Sequence, residues 1–113
     1  KKLVFMVTRA NYEPLLKAGV KIYEYTPGFI HSKSFVSDDE IGLCGTTNMD
    51  YRSYYLHFEC GVLTYKSSII KDMKQDYIDT LKDCREVTLK DCRDTPAVVR
   101  LVRAILNLFA PMM

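Results

Sequence analysis

The stretch from Phe29 to Asn48 leaves this chain few ways to fold. It reads Phe29-Ile-His31-Ser-Lys33-Ser-Phe35-Val-Ser37, then Asp38-Asp39-Glu40, then Ile41-Gly-Leu-Cys-Gly45-Thr46-Thr47-Asn48. Strand-forming runs flank consecutive acids, which predicts a hairpin with strands over Phe29 to Ser37 and Ile41 to Gly45. Side chains two apart on a strand share a face. Phe29, His31, Lys33 and Phe35 are therefore expected on one side, and Ile30, Ser32, Ser34 and Val36 on the other. An imidazole and a primary amine would then point into one site. The second strand leads into Gly45-Thr46-Thr47-Asn48, a turn rich in hydrogen-bond donors. These are groups that can attack and cradle a phosphodiester.

The rest of the chain supplies a frame for that hairpin. Leu3 to Thr8 is nearly all apolar and predicts a buried strand. Asn11 to Ala18 predicts a helix, with Asn11 as its cap and Gly19 as its stop. Val20 to Tyr25 alternates and predicts the next strand, so the segment reads as a strand–helix–strand unit with parallel neighbours. Pro27-Gly28 is a turn signal. Leu56 to Tyr65 predicts a further strand, central by its length. Ser67 to Asp83 has helical period, with Ile69, Ile70, Met73, Tyr77, Ile78 and Leu81 near one face. Arg85 to Asp94 reads as a polar connector. Thr95-Pro96 then supplies a cap and a first-turn proline for a last helix, to about Phe109. Its apolar residues, among them Val98, Val99, Leu101, Val102, Ile105, Leu106 and Leu108, cover more than one face around Arg100 and Arg103. Two readings stay open for it: a core helix on the sheet, or an interfacial helix on anionic lipid. The expected fold class is α/β, a mixed sheet flanked by helices, as a single domain over residues 1–113.

Charge and cysteine content exclude several functions. A net charge of +2 without a Lys/Arg-rich stripe interleaved with aromatics argues against nucleic acid as a partner. No apolar run approaches the roughly 20 residues of a membrane span, and no signal peptide is visible. The chain begins at Lys1-Lys2 and runs straight into apolar sequence, so it is read as a piece of a longer protein. Cys44, Cys60, Cys84 and Cys92 lack Cys-x2-Cys zinc spacing. Cys44 and Cys60 fall in apolar strand-like runs, where buried free thiols are common. Cys84 and Cys92 lie in a short echo, Thr80-Leu-Lys-Asp-Cys84-Arg and Thr88-Leu-Lys-Asp-Cys92-Arg, too short for a repeat architecture. No metal cluster or dinucleotide fingerprint is present, and no cofactor is expected.

The spacing His31-x-Lys33-x4-Asp38-x6-Gly45-Thr46-x-Asn48 resembles the signature of the phospholipase D superfamily. Leu15-Leu-Lys-Ala-Gly19-Val-Lys-Ile-Tyr-Glu-Tyr25 before it, and Asn48-Met-Asp-Tyr-Arg-Ser53 through Phe58-Glu59 after it, narrow the resemblance. They are similar to the second of the two catalytic motifs of bacterial cardiolipin synthases. The family's turn often carries Ser where this chain has Thr46, and the hydroxyl is kept.

The resemblance implies a phospholipase D-like half-domain, with an N-terminal half-domain of the same enzyme as its partner. It implies a phosphatidyltransferase that makes cardiolipin from two phosphatidylglycerol molecules through a phosphohistidine. It also implies attachment to the cell membrane through the parent protein, this domain on the cytoplasmic face, where thiols stay reduced and a Cys84–Cys92 disulfide is not expected. His31 is then catalytic, as nucleophile or, by the family's usual assignment, as general acid. Lys33 compensates phosphate charge, with Thr46 and Asn48 donating to the same oxygens. Glu59 interrupts an apolar run and is the candidate for orienting the imidazole. Asp38 belongs to the motif and is kept as a catalytic candidate, although it could instead tie the hairpin together.

A lone histidine in a strand is usually structural, and the company of the other motif residues sets His31 apart. His57 has no such company and reads as structural. Lys21, Lys66 and Lys71 read as solvated charges. Arg52 could meet a lipid phosphate or a nearby acid. Tyr51, Tyr54 and Tyr55 could line an acyl or glycerol pocket, though tyrosines packed over a sheet edge are commoner. Two other functions compete. One is a phosphodiesterase or nuclease that completes its site by homodimerising. The other is a half-site that binds lipid or phosphate without catalysis.

Overall fold

Asp38 and Asp39 both adopt left-handed backbone, with φ of +52° and +58°. Glu40 N–H closes the turn on the Ser37 carbonyl at 3.0 Å. Paired left-handed residues match the right-handed twist of the flanking strands, and aspartate is among the few non-glycine residues that tolerate them. The turn joins β2 (Lys33–Ser37) to β3 (Ile41–Gly45), which pair antiparallel with Phe35 opposite Leu43 and Lys33 opposite Gly45. The computed structural model containing this hairpin describes residues 2–109. The chain divides into two units, Tyr25–Arg85 and Lys1–Glu24 with Glu86–Met113.

In the first of these units β4 (Gly61–Tyr65) adds to the other edge of β3, with Leu43 opposite Leu63 and Gly45 opposite Gly61. The expected hairpin is present, but its first strand starts at Lys33 rather than Phe29. Gly45 is the last β3 residue to pair across, and Thr46 N–H turns to the Cys60 carbonyl instead. Phe29 to Ser32 therefore find no ladder partner and stay irregular. The long strand expected from Leu56 also shrinks to Gly61–Tyr65, and it lies at an edge, because β3 is the central strand. Arg52–Leu56 winds instead into a π-helical turn.

The helix α3 (Ile69–Leu81) contacts β2 and β3, and Ile70 is fully buried beneath it. Gly42 admits this contact. A Cβ there would lie 2.8 Å from Thr64 Oγ1, 3.1 Å from Met73 Sδ and 3.2 Å from Ile70 Cγ1. The opposite face carries Phe35, Leu43 and Leu63 in one row and the Ile41–Tyr65 pair in the next. Phe35, Leu63, Tyr65 and Ile41 are all exposed. The salt bridge from Lys74 to Asp39, 2.7 Å long, joins α3 to the hairpin turn.

The other unit overturns the first expected strand. Lys2–Ala10 is a helix, α1, packed chiefly against α5 (Ala97–Leu108). A short all-apolar run cannot declare its period. Here the neighbouring helix decides, and Asn11 Nδ2 bonds the Val7 carbonyl one turn back at 3.3 Å. The second helix, α2 (Tyr12–Lys17), follows at once and ends before Gly19, at φ +92°. Its expected cap is absent, for Asn11 is helical and makes no side-chain cap bond.

The next strand, β1 (Ile22–Tyr25), pairs with β5 (Cys84–Val87) as a two-stranded sheet, and the unit boundary falls within these strands. The parallel strand–helix–strand unit is therefore not formed. The expected connector over Arg85 to Asp94 contains most of β5 and a short helix, α4 (Leu89–Arg93). Thr88 and Asp91 cap α4 reciprocally, with Thr88 N–H to Asp91 Oδ2 at 2.9 Å. The last helix starts at Ala97, one residue later than expected: Pro96 is the extended cap residue rather than a first-turn one, and the Thr95 hydroxyl donates back to the Asp91 carbonyl instead of capping. The α/β class holds, with the sheet split in two. All four cysteines are free thiols, and Cys44 and Cys60 are exposed rather than buried.

Arg9 fastens α1 to β1. Its Nε and a terminal nitrogen donate to both Glu24 carboxylate oxygens at 2.9 and 2.8 Å. The Glu24 carboxylate raises the guanidinium's pKa above its ordinary value. Lysine offers no planar fork. Arg9→Lys is therefore expected to cost about 1 kcal/mol, discounted for partial exposure, read as a Tm loss of several degrees with far-ultraviolet circular dichroism unchanged.

Candidate active site

His31 sits just ahead of β2 and Lys33 is its first residue, so the amine is fixed by the ladder while the imidazole rides on an exposed segment. Lys33 Nζ folds back on its neighbour. It donates to the His31 carbonyl at 2.5 Å and lies 3.2 Å from His31 Nδ1. An ammonium has only donors to offer, so Nδ1 must present its lone pair. A neutral His31 in this arrangement carries its proton on Nε2. Phe29 lies beside the imidazole, with ring centroids 6.1 Å apart.

Across the sheet, Lys33 stands opposite Gly45, which stands opposite Gly61. No side chain therefore flanks Lys33 along that row. The close backbone approach requires it. A Cβ on Gly45 would lie 2.5 Å from the Cys60 carbonyl oxygen and 2.7 Å from Gly61 Cα.

The turn after Gly45 is tied down by residues from beyond it. Thr46 Oγ1 donates to Glu59 Oε2 at 2.5 Å and accepts from Cys60 N–H at 3.0 Å. The Ser53 hydroxyl is near enough to favour the ionised Glu59 carboxylate. Ser53 Oγ in turn accepts Asn48 N–H at 3.1 Å, and Ser53 N–H donates to Asp50 Oδ1 at 2.7 Å. The hydroxyl donors, Thr46 first and then Ser53, hold the Glu59 carboxyl below its ordinary range although it is solvent-exposed. Thr46, Asn48 and Glu59 thus form one network.

That network gives Glu59 different partners from the one expected. Among the described residues no hydrogen bond joins Glu59 to His31. Thr46 spends its single proton on Glu59, so in this arrangement its hydroxyl is an acceptor rather than a phosphate donor. The Asn48 side chain makes no hydrogen bond among the described residues. Asp38 occupies the left-handed turn at the far end of β2, where Ser37 Oγ donates to it at 3.3 Å. It is separated from the His31–Lys33 pair by the length of that strand.

Ser53 is the residue that sequence reasoning passed over. It is the buried polar side chain among the described residues, beneath a segment that exposes Tyr51, Tyr54 and Tyr55. Its signal is local: Asp50-x-x-Ser53, the spacing at which an acid accepts the N–H of a helical first turn. Arg52 donates from Nε to His57 Nε2 at 2.6 Å. Tyr51 and Tyr55 pack with ring centroids 5.2 Å apart.

A test follows from the lowered Glu59 carboxyl. A depressed folded-state pKa stabilises the native chain above the ordinary carboxylate value, and that contribution is lost as pH falls through the folded value. Thermal melts from neutral pH down to about pH 3 should therefore show a native-minus-Glu59→Gln stability difference that closes in acid. A difference constant across the range would remove Glu59 from this role.

The family described as cardiolipin synthase, PLD-like domain, matches residues 1–81. Over its whole length the chain is 42% identical to an uncharacterized protein of Streptococcus mutans and covers 24% of that protein. It is 37% identical, again over its whole length, to a cardiolipin synthase of a Geobacillus species, covering 22% of it. Over 99% of the chain it is 38% identical to a cardiolipin synthase of Clostridium perfringens, covering 24% of that enzyme. The chain thus spans about a quarter of the length of the curated relatives it matches. No solved structure matches it.

Proposed function

The chain belongs to the family of cardiolipin synthase PLD-like domains, and on that premise we propose that it supplies the second catalytic motif of a phosphatidyltransferase. The substrates in this reading are two molecules of phosphatidylglycerol, and the product is cardiolipin. A histidine of an N-terminal half-domain attacks the phosphorus of the first lipid. A P–N bond forms, the P–O bond to the headgroup breaks, and His31, as the imidazolium, gives a proton to the departing glycerol and becomes neutral. The hydroxyl of the second lipid then attacks, His31 takes its proton, and the P–N bond breaks. Lys33 compensates charge on the non-bridging oxygens. Transfer prevails over hydrolysis where the acceptor alcohol is held and water kept out. The whole chain acts as one half-domain on the cytoplasmic face of the cell membrane, carried there by its parent.

One observation carries the reading: Lys33 Nζ lies 3.2 Å from His31 Nδ1, which puts the charge-compensating amine beside the imidazole that exchanges protons with the lipid alcohols. The side-chain-free row Lys33–Gly45–Gly61 supports the place of the phosphate. Thr46 and Glu59 serve here by shaping the turn that presents Asn48. The reading is tested by giving the full-length protein phosphatidylglycerol labelled in its headgroup. Cardiolipin together with stoichiometric free glycerol supports it; phosphatidic acid as the only lipid product replaces transfer with hydrolysis. With one such motif, the isolated 113-residue chain turns over only if it pairs with itself, which gel filtration decides.

A further inference from the structure

The last helix is apolar on two sides, and only one of them is covered. Val99 and Leu106 are half-buried on the side that meets α1, the principal neighbour of α5. Val98, Leu101, Ile105 and Leu108 fall on the other side, at 72%, 63%, 49% and 79% exposure, with Val102 and Phe109 beside them. Spacings of three and four residues align them as one stripe. Arg100 and Arg103 lie off the stripe, and α5 contains no acidic residue.

We propose that this uncovered face of α5 lies flat on an anionic phospholipid surface. Twelve residues reach about 18 Å. No helix among the described residues is long and apolar enough to cross a membrane, so an in-plane position is the one open to α5. Charge selects the occupant. The unit that carries α5 holds nine lysines and arginines against five aspartates and glutamates, whereas the other holds seven against nine. A basic body presenting an apolar helical stripe fits an anionic bilayer. The same positive charge opposes a second copy of this unit on that face.

The test is flotation of the purified chain with vesicles of phosphatidylcholine containing phosphatidylglycerol, and with phosphatidylcholine alone. The chain is expected to float with the anionic vesicles, more weakly as salt rises. The double variant Leu101→Asp, Ile105→Asp should lose at least about tenfold in partitioning, with its helical circular dichroism intact because both sites are exposed. The chain has no tryptophan, so Leu108→Trp supplies a single reporter on the stripe, expected to shift to the blue on anionic vesicles. Absence of native flotation overturns the proposal, as does equal flotation of the double variant. Flotation without the blue shift assigns binding to another surface, and a native dimer dispersed by the double variant assigns the face to a second copy. None of these readouts involves turnover, so the proposal fails or stands apart from the transferase reading.

Discussion

His31→Asn in the full-length protein is expected to lower cardiolipin formation by about 10³-fold or more, while a phosphatidyl–enzyme adduct still forms. In the acid role His31 is the imidazolium and becomes neutral as the glycerol leaves. Asparagine cannot carry that exchangeable proton, and it leaves untouched a nucleophile held elsewhere. Labelled phosphatidylglycerol and acid quenching would display the adduct. Its disappearance along with turnover would make His31 the nucleophile, and unchanged turnover would remove the motif from the chemistry. Lys33→Met should behave differently, weakening adduct formation and its breakdown alike, because charge on the non-bridging oxygens is present in both steps.

The second large effect is structural. Gly45→Ala is expected to cost about 3 kcal/mol, since the added methyl would meet Cys60 carbonyl oxygen at 2.5 Å and Gly61 Cα at 2.7 Å. Both are backbone atoms in a paired ladder, so no rotamer change can relieve the clash. Thermal denaturation should show a Tm loss of more than about 10 °C. Gly61→Ala is the matched control. There the nearest atom is Leu43 Cδ1 at 3.3 Å, the end of a flexible side chain, and a loss of about 1 kcal/mol is expected. Equal losses at the two glycines would refute backbone crowding as the cause.

The hairpin and α3 were legible because each carries its own punctuation: consecutive turn acids in one, a helical apolar period in the other. Leu3 to Thr8 carried none, and the helix it packs on lies far along the chain. The echo shows the same limit more sharply. Thr80-Leu-Lys-Asp-Cys84 ends α3 and enters β5, while Thr88-Leu-Lys-Asp-Cys92 caps and begins α4. Near-identical peptides take opposite roles because Thr88 is extended and free to cap, whereas Thr80 is still helical and bonds the Asp76 carbonyl. In the site, the residue types were legible but their partners were not. Glu59 looked like an acid in need of a base, and its partners are two hydroxyls supplied by turns that sequence spacing does not bring together.

Asp38 gives the motif a second meaning. Its carboxylate shares a formula with His31 and Lys33 but stands at the opposite end of β2, in a turn that two aspartates hold left-handed. The residues between Lys33 and Asp38 then act as a ruler. They set how many rungs the ladder has before it reverses, and hence that Gly45, rather than its neighbour, comes to rest beside the amine. One inserted residue in that interval would keep every chemical group of the motif and shift Lys33 away from Gly45.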